Sequence, residues 1–341
     1  MFPELTSEMI HMLILSVTAF LVAMLLTPIY THFAYKYKFW KKQRSTSMTG
    51  EKLEVFNKLH AKKFTRSFPT MAGIIGVLAI TFVTFFFNFD RSQTWLPLAA
   101  LIGGGLVGLL DDIINIFGNG RGVAGLRSGA KFTMIAILGL ALGWWFYNSL
   151  GHDSVHVPFI GEWQIGIGIV LLFAFAVVAT GNAVNISDGL DGLAGGLLAI
   201  GYGAFATIAL YQGNYGMAGF CFTAMGALLA YIWFNVYPAR FMMGDVGSFA
   251  FGTALGVVAM LTDAFLLLPI IGLLFVVEAG SSLIQIISKK FFGRKVFISA
   301  PIHHHLEAKG WEETKITMRF WIIAAITAFL GVVMALAGGI V

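Results

Sequence analysis

Apolar residues in this chain cluster into long runs, and polar residues gather between them. Ten such runs, roughly 10–33, 71–89, 96–115, 131–150, 164–182, 193–212, 217–236, 247–264, 265–288 and 320–340, approach the roughly 20 residues a helix needs to cross a bilayer. The pattern predicts an all-α integral membrane protein, one polytopic domain over residues 1–341 with about ten transmembrane helices. An even number of spans places both termini on one side. The first run lacks the basic flank and small-residue cleavage site of a signal peptide, which predicts a retained helix. The connecting loops are short except near 34–70, 116–130 and 289–319.

Composition agrees with this reading: 58% of residues are hydrophobic and only 11% charged. A net charge of +5 raises the question of nucleic acid, but the basic residues are not arranged along a groove. They mark topology. Ten Lys or Arg fall between Lys36 and Arg66, against two acids, and 21 of the 22 basic residues lie on alternate loops, Arg91 being the exception. Because basic residues favour cytoplasmic loops, both termini are predicted to be extracytoplasmic, with the working face cytoplasmic. The single Cys221 excludes an intramolecular disulfide and a multi-cysteine metal site. It reads as a packed membrane thiol.

Polar groups interrupt the apolar runs at a few places, and in lipid such residues are usually functional. Thr180 to Leu193, TGNAVNISDGLDGL, carries Asn182, Asn185, Asp188 and Asp191, with a glycine after each acid. If helical, Asp188 and Asp191 share a face; the alternative is a buried polar turn between hairpin helices. Asp111 and Asp112 end the third run, where adjacent acids repel and invite a cation such as Mg²⁺ or a raised pKa suited to proton handling. A plain interfacial helix end explains them equally. Asn235, Arg240 and Asp245 surround a proline break, and Gly244 and Gly247 flank that acid. Glu278 lies in the ninth run, where a helix break or an interhelical hydrogen bond accounts for it as well as a function does. His303, His304 and His305 read as phosphate donors or proton carriers in preference to a zinc site, since successive helical side chains point about 100° apart. Acids with basic partners on one side of a membrane suit phosphoryl chemistry on a lipid-linked reactant.

The motifs LLDD at 109–112, NAVNISDGLDGLAGG at 182–196, WFNVYPARFMMGDVGS at 233–248 and PIHHHLEAKGWEETKITMRFW at 301–321 resemble, in order, those of the phospho-N-acetylmuramoyl-pentapeptide transferases. These form a branch of the polyprenyl-phosphate N-acetylhexosamine-1-phosphate transferase superfamily. The unbroken His-His-His resembles this branch more than the GlcNAc-phosphate branch. The resemblance implies transfer of phospho-N-acetylmuramoyl-pentapeptide from its UDP derivative to undecaprenyl phosphate, giving lipid I and UMP with Mg²⁺, in a multi-pass protein of the bacterial inner membrane, with a homodimer suggested. It implies Asp245 as metal ligand, Asp111 and Asp112 at the reacting phosphates with Asp111 as base, and Lys131 on the diphosphate. Asn182, Asn185, Asp188 and Asp191 would line the nucleotide pocket, Asp191 nearest the uridine. Asn235 and Met242 would join the substrate site, and His303, His304 and His305 would contact phosphate or sugar. Direct transfer and a covalent phospho-aspartate route both fit.

Two departures stand out. The family's TPTMGG is FPTMAG here, at 68–73; Thr70 is kept, and the upstream lysine of the substrate site is Lys62 or Lys63, with Lys63 favoured. Where the family places a uracil-stacking Phe, this chain has Met242, with Phe241 beside it. Competing readings are a GlcNAc-1-phosphate transferase and, in another class, a secondary transporter. The latter predicts paired broken helices in two repeated halves, and no such repeat is visible.

Overall fold

The computed structural model describes residues 2–40, 69–118 and 125–340. Its helices are α1 (Phe2–Lys36), α2 (Gly73–Phe87), α3 (Arg91–Phe117), α4 (Ser128–Leu150), α5 (Gly168–Ser187), α6 (Leu193–Tyr211), α7 (Tyr215–Asn235) and α8 (Gly244–Leu261). A short helical turn, α9 (Phe265–Ile271), then meets α10 (Leu273–Phe292), and α11 (Ile302–Ala308) and α12 (Glu313–Ala337) close the chain. Between α4 and α5 lies a hairpin of two four-residue strands, β1 (Ser154–Val157) and β2 (Gly161–Gln164). They pair antiparallel, with Ser154 opposite Gln164 and Val157 opposite Gly161. This hairpin is a local exception to the all-α expectation.

Eight helices are long and apolar enough to cross a membrane, or nine if the bent pair α9–α10 is one span. All ten predicted runs recur as helix, but two differ in form. With 15 residues, α2 extends roughly 22 Å, short of the roughly 30 Å of bilayer hydrocarbon. Its flanks are held otherwise: Ala72 N donates to the Met242 carbonyl (3.1 Å), and the Asn88 amide donates to the Gly216 carbonyl (2.8 Å). The ninth run bends by 83° at Gly272. Pro269 lies at the start of the α-helical part of α9, Leu268–Ile271, and cannot continue a helix from the residues before it; the 3-10 turn Phe265–Leu267 precedes it.

α8 is the centre of the bundle, packed between α3 and α5 and touching α2 and α6. Of its apolar stretch 94% is buried, against 28% for α1, α4 and α12, which therefore present their apolar residues to lipid. The close approach of α3 to α8 depends on Gly108, where an added Cβ would stand 2.0 Å from the Asp245 carbonyl oxygen. The glycine-rich end of α3 is thus what lets the acids after it reach α8, in keeping with small residues at membrane helix interfaces.

Candidate active site

Asp111 and Asp112 lie near the end of α3 and Asp245 in the first turn of α8, all buried. Each offers an oxygen within 4.8 Å of the others, and among the described residues this is the one group able to hold a metal ion. From the first turn of α4, Lys131 places its Nζ 2.9 Å from Asp245 Oδ2 and 3.3 Å from Asp111 Oδ2. Leu126 N donates to Asp111 Oδ1 (2.6 Å), and Val246 N, at the start of α8, donates to Asp112 Oδ2 (3.0 Å). Helix N-termini favour such anions. Mutual repulsion among three neighbouring carboxylates is costly where burial excludes water. A divalent cation would offset it, and an all-oxygen donor set suits a hard ion such as Mg²⁺.

The second motif is a turn, not a helix. α5 ends at Ser187 and α6 begins at Leu193, so Asp188 and Asp191 do not share a helical face. They bind different parts of one loop: Asp188 Oδ2 accepts from Gly244 N (3.2 Å) and Asp191 Oδ2 from Ala239 N (3.0 Å). Gly244 has φ +76°, and a Cβ there would meet Asp112 Oδ2 at 2.7 Å, so glycine is required by both backbone and space. Asn235 completes the clamp, its Oδ1 accepting from Gly192 N (2.9 Å) and its Nδ2 donating to the Phe241 carbonyl (2.8 Å). Asn185 donates to Ser248 Oγ (2.8 Å), whereas the Asn182 amide turns back to the Val178 carbonyl of its own helix (2.8 Å). Phe241 is buried among Tyr30, Tyr231 and Phe234, with ring centroids 5.8 to 5.9 Å away. It belongs to the core, leaving half-buried Met242 at the position where the family carries Phe. Met242 N donates to the Pro69 carbonyl (2.9 Å), and the neighbouring Thr70 is buried, its carbonyl accepting from the Tyr30 hydroxyl. Lys63 and Lys62 lie outside the described residues.

The three histidines sit on α11 and point to three different partners. His303 Nδ1 is 2.7 Å from Glu278 Oε2, deep between α10 and α11, and its Nε2 faces Gly189, where a Cβ would approach it to 2.3 Å. His304 Nδ1 pairs with Glu307 Oε2 (2.7 Å). His305 accepts from Ile298 N at Nδ1 (3.1 Å); burial, with the charge of Lys309, lowers its pKa, consistent with an accepting neutral ring. The DGLDG turn thus touches His303, while His305 is turned toward the 294–299 loop. Sequence reasoning left Glu278 open and passed over Glu313, whose Oε1 accepts from Asp191 N (2.7 Å). An acid inside an apolar run was the available signal for Glu278; nothing local marks Glu313.

Comparison with known proteins bears on this arrangement directly. The profile of a family described as glycosyl transferase family 4 matches residues 94–263. A phospho-N-acetylmuramoyl-pentapeptide-transferase of Chloroflexus aggregans is 34% identical over 98% of this chain and 92% of its own length. Proteins of the same name from Geobacillus sp. (strain WCH70) and Geobacillus thermodenitrificans are each 38% identical, over 94% and 92% of this chain and 97% and 94% of their own lengths. The chain belongs to the phospho-N-acetylmuramoyl-pentapeptide-transferase family. The profile match runs from α3 to just past α8, so in this phospho-N-acetylmuramoyl-pentapeptide-transferase family member it holds all three acids, Lys131 and the DGLDG turn. His303 to His305 fall outside that match but inside the span shared with the Chloroflexus transferase.

Proposed function

We propose that the chain transfers phospho-N-acetylmuramoyl-pentapeptide from UDP-N-acetylmuramoyl-pentapeptide to undecaprenyl phosphate, forming lipid I and UMP. An oxygen of the lipid phosphate attacks the sugar-linked phosphorus, a new P–O–P bond forms, and the bond to the UMP phosphate breaks. The observation that carries this reading is the buried trio Asp111, Asp112 and Asp245 with Lys131 among them, in a chain of this family. Asp111 serves as the base that takes the proton from the lipid phosphate, Leu126 N and Lys131 holding its carboxylate in place. Lys131 moves between the acids and the diphosphate, balancing charge on whichever is anionic. Mg²⁺ held by Asp245, with Asp112 beside it, would supply further neutralisation of the phosphate oxygens. Asn185, Asp188, Asp191, Asn235 and Met242 form the nucleotide side of the site, with Thr70 and Asn182 at its margin, and Lys63, outside the described residues, is assigned to the substrate by the sequence resemblance alone. His303 and His304, oriented by Glu278 and Glu307, donate to phosphate or sugar.

The protein is a multi-pass component of the bacterial cytoplasmic membrane, with both termini extracytoplasmic and this site facing the cytoplasm, as the distribution of basic residues supports. The test supplies purified protein, undecaprenyl phosphate and Mg²⁺ with UDP-N-acetylmuramoyl-pentapeptide or, separately, UDP-GlcNAc, and identifies products by mass spectrometry. UMP and lipid I from the muramoyl nucleotide alone are expected. UMP from UDP-GlcNAc alone would establish the hexosamine alternative, and substrate flux across vesicles without UMP would establish a transporter.

A further inference from the structure

A cleft opens where the end of α1 meets the 236–243 loop, the loop that Asp191 holds through Ala239 N. It encloses about 770 Å³ and is lined by Pro28, Thr31, His32, Tyr35, Lys36 and Arg240. The five α1 positions recur at three- and four-residue intervals, so they form one face of that helix. Arg240 reaches in from the loop. The lining combines two cationic side chains, an imidazole and two hydroxyls with no acid, and among the described residues neither Lys36 nor Arg240 has a carboxylate within ion-pair distance. Their printed partners are aromatic faces, Tyr37 under Lys36 at 5.5 Å and Phe234 under Arg240 at 5.7 Å.

We infer that this cleft is a binding site for the phosphate of an anionic membrane phospholipid, distinct from the reacting site. Position argues for lipid over solute. Exposed Tyr35 and Tyr37 at the end of α1, and Trp233 and Tyr237 at the end of α7, form the kind of aromatic belt that sits at headgroup level. The apolar exposed residues of α1 below it, Leu21, Leu25 and Ile29, continue as a surface for acyl chains. Phosphate chemistry matches the donors: a guanidinium and an ammonium for the anionic oxygens, and the Tyr35 hydroxyl for an ester oxygen, the Thr31 hydroxyl being given to the Pro28 carbonyl (3.0 Å). The same loop carries Ala239, bound to Asp191, and Met242, bound to Pro69, so a lipid held by Arg240 would also steady the loop that Asp191 holds.

The test titrates the detergent-purified full chain with dioleoyl-phosphatidylglycerol or dioleoyl-phosphatidylcholine and counts bound lipids by native mass spectrometry. One saturable phosphatidylglycerol is expected that phosphatidylcholine does not match. Lys36→Gln with Arg240→Gln should weaken it about twenty-fivefold, the product of about fivefold for each basic residue at a membrane surface. Arg240→Lys should hold it within about threefold, and if the double variant does not elute as a folded species, Lys36→Glu alone decides by abolishing the site. Equal binding of the two lipids would overturn the inference, as would an equal loss in a Lys289→Gln, Lys290→Gln control. Displacement by inorganic phosphate would make the ligand a free anion, and displacement by stoichiometric undecaprenyl phosphate would make the cleft an acceptor seat; either result overturns the phospholipid assignment.

Discussion

Two ionic clusters lie at opposite ends of this bundle, separated by the length of α4, roughly 35 Å. At one end Lys131 faces Asp111 and Asp245 with Asp112 beside them, three buried carboxylates with oxygens within 4.8 Å of one another. At the other, His156 bridges Glu162 (2.9 Å) and the Gly338 carbonyl (2.9 Å), tying the β1–β2 hairpin to the end of α12, with Glu162 half open to solvent. The second cluster is complete as it stands. The first is buried and gathers three carboxylates in a geometry that could hold a cation. The contrast separates fastening from chemistry: the three aspartates are buried together at the ends of apolar helices, whereas His156 and Glu162 lie on a loop hairpin between helices with the acid half exposed.

Substitution should divide the two ends sharply. Asp245→Asn and Asp111→Asn are each expected to lower UMP release by at least about a hundredfold, the scale of acid–base and electrostatic contributions to catalysis, while the protein remains folded by thermal unfolding. Near-normal turnover in either variant removes that residue from the chemistry. A smaller loss, about tenfold, is expected for Glu278→Gln, which keeps the fold but weakens the hold on His303. Gly189→Ala should lower turnover like His303→Ala, because the new methyl would occupy the space in front of Nε2. If Gly189→Ala leaves turnover untouched, His303 is a packing residue.

The smallest effect belongs to the far end. His156→Ala should leave UMP release unchanged and cost about 1 kcal/mol or less of stability, since its partner is largely solvated. Burial works against the His156 cation, but the Gly338 carbonyl and Glu162 outweigh it and raise the pKa above 6.5. The Ser154 hydroxyl, with His156, lowers that of Glu162 below 4.5. The raised histidine contributes fully below about 6.5 and fades as pH climbs through its folded value; the lowered acid contributes fully above about 4.5 and fades as pH falls through its own. The protection factor of the Phe159 amide, whose N–H donates to Gly338, should therefore be largest between these limits and smaller at pH 8.5 once the intrinsic base-catalysed rate is divided out, a difference that His156→Ala removes.

Much of this was legible in the residues. The apolar runs gave the helices because lipid demands internally bonded backbone, and the motifs singled out the acids because buried charge is expensive. Other features depend on distance and were not legible. That Asp188 and Asp191 cap a turn instead of sharing a helix face follows from Ser187 ending α5 and from the 236–243 loop, more than forty residues on, offering its N–H groups. The fate of Phe241 was set by Tyr30 and Tyr231, and the pairing of Glu278 with His303 by the 83° bend that carries α10 back toward α11. Short α2 kept its apolar sequence yet gave up its ends to Met242 and Gly216, contacts that periodicity does not encode.

The account stands most directly on whether the three buried acids take up a divalent ion. Electron paramagnetic resonance of Mn²⁺, standing in for Mg²⁺, should be recorded with the full chain and UDP-N-acetylmuramoyl-pentapeptide, and repeated with Asp245→Asn. One bound ion per chain is expected, lost or weakened at least about tenfold in the variant. No bound ion in the parent protein, or an unchanged affinity in Asp245→Asn, would contradict it.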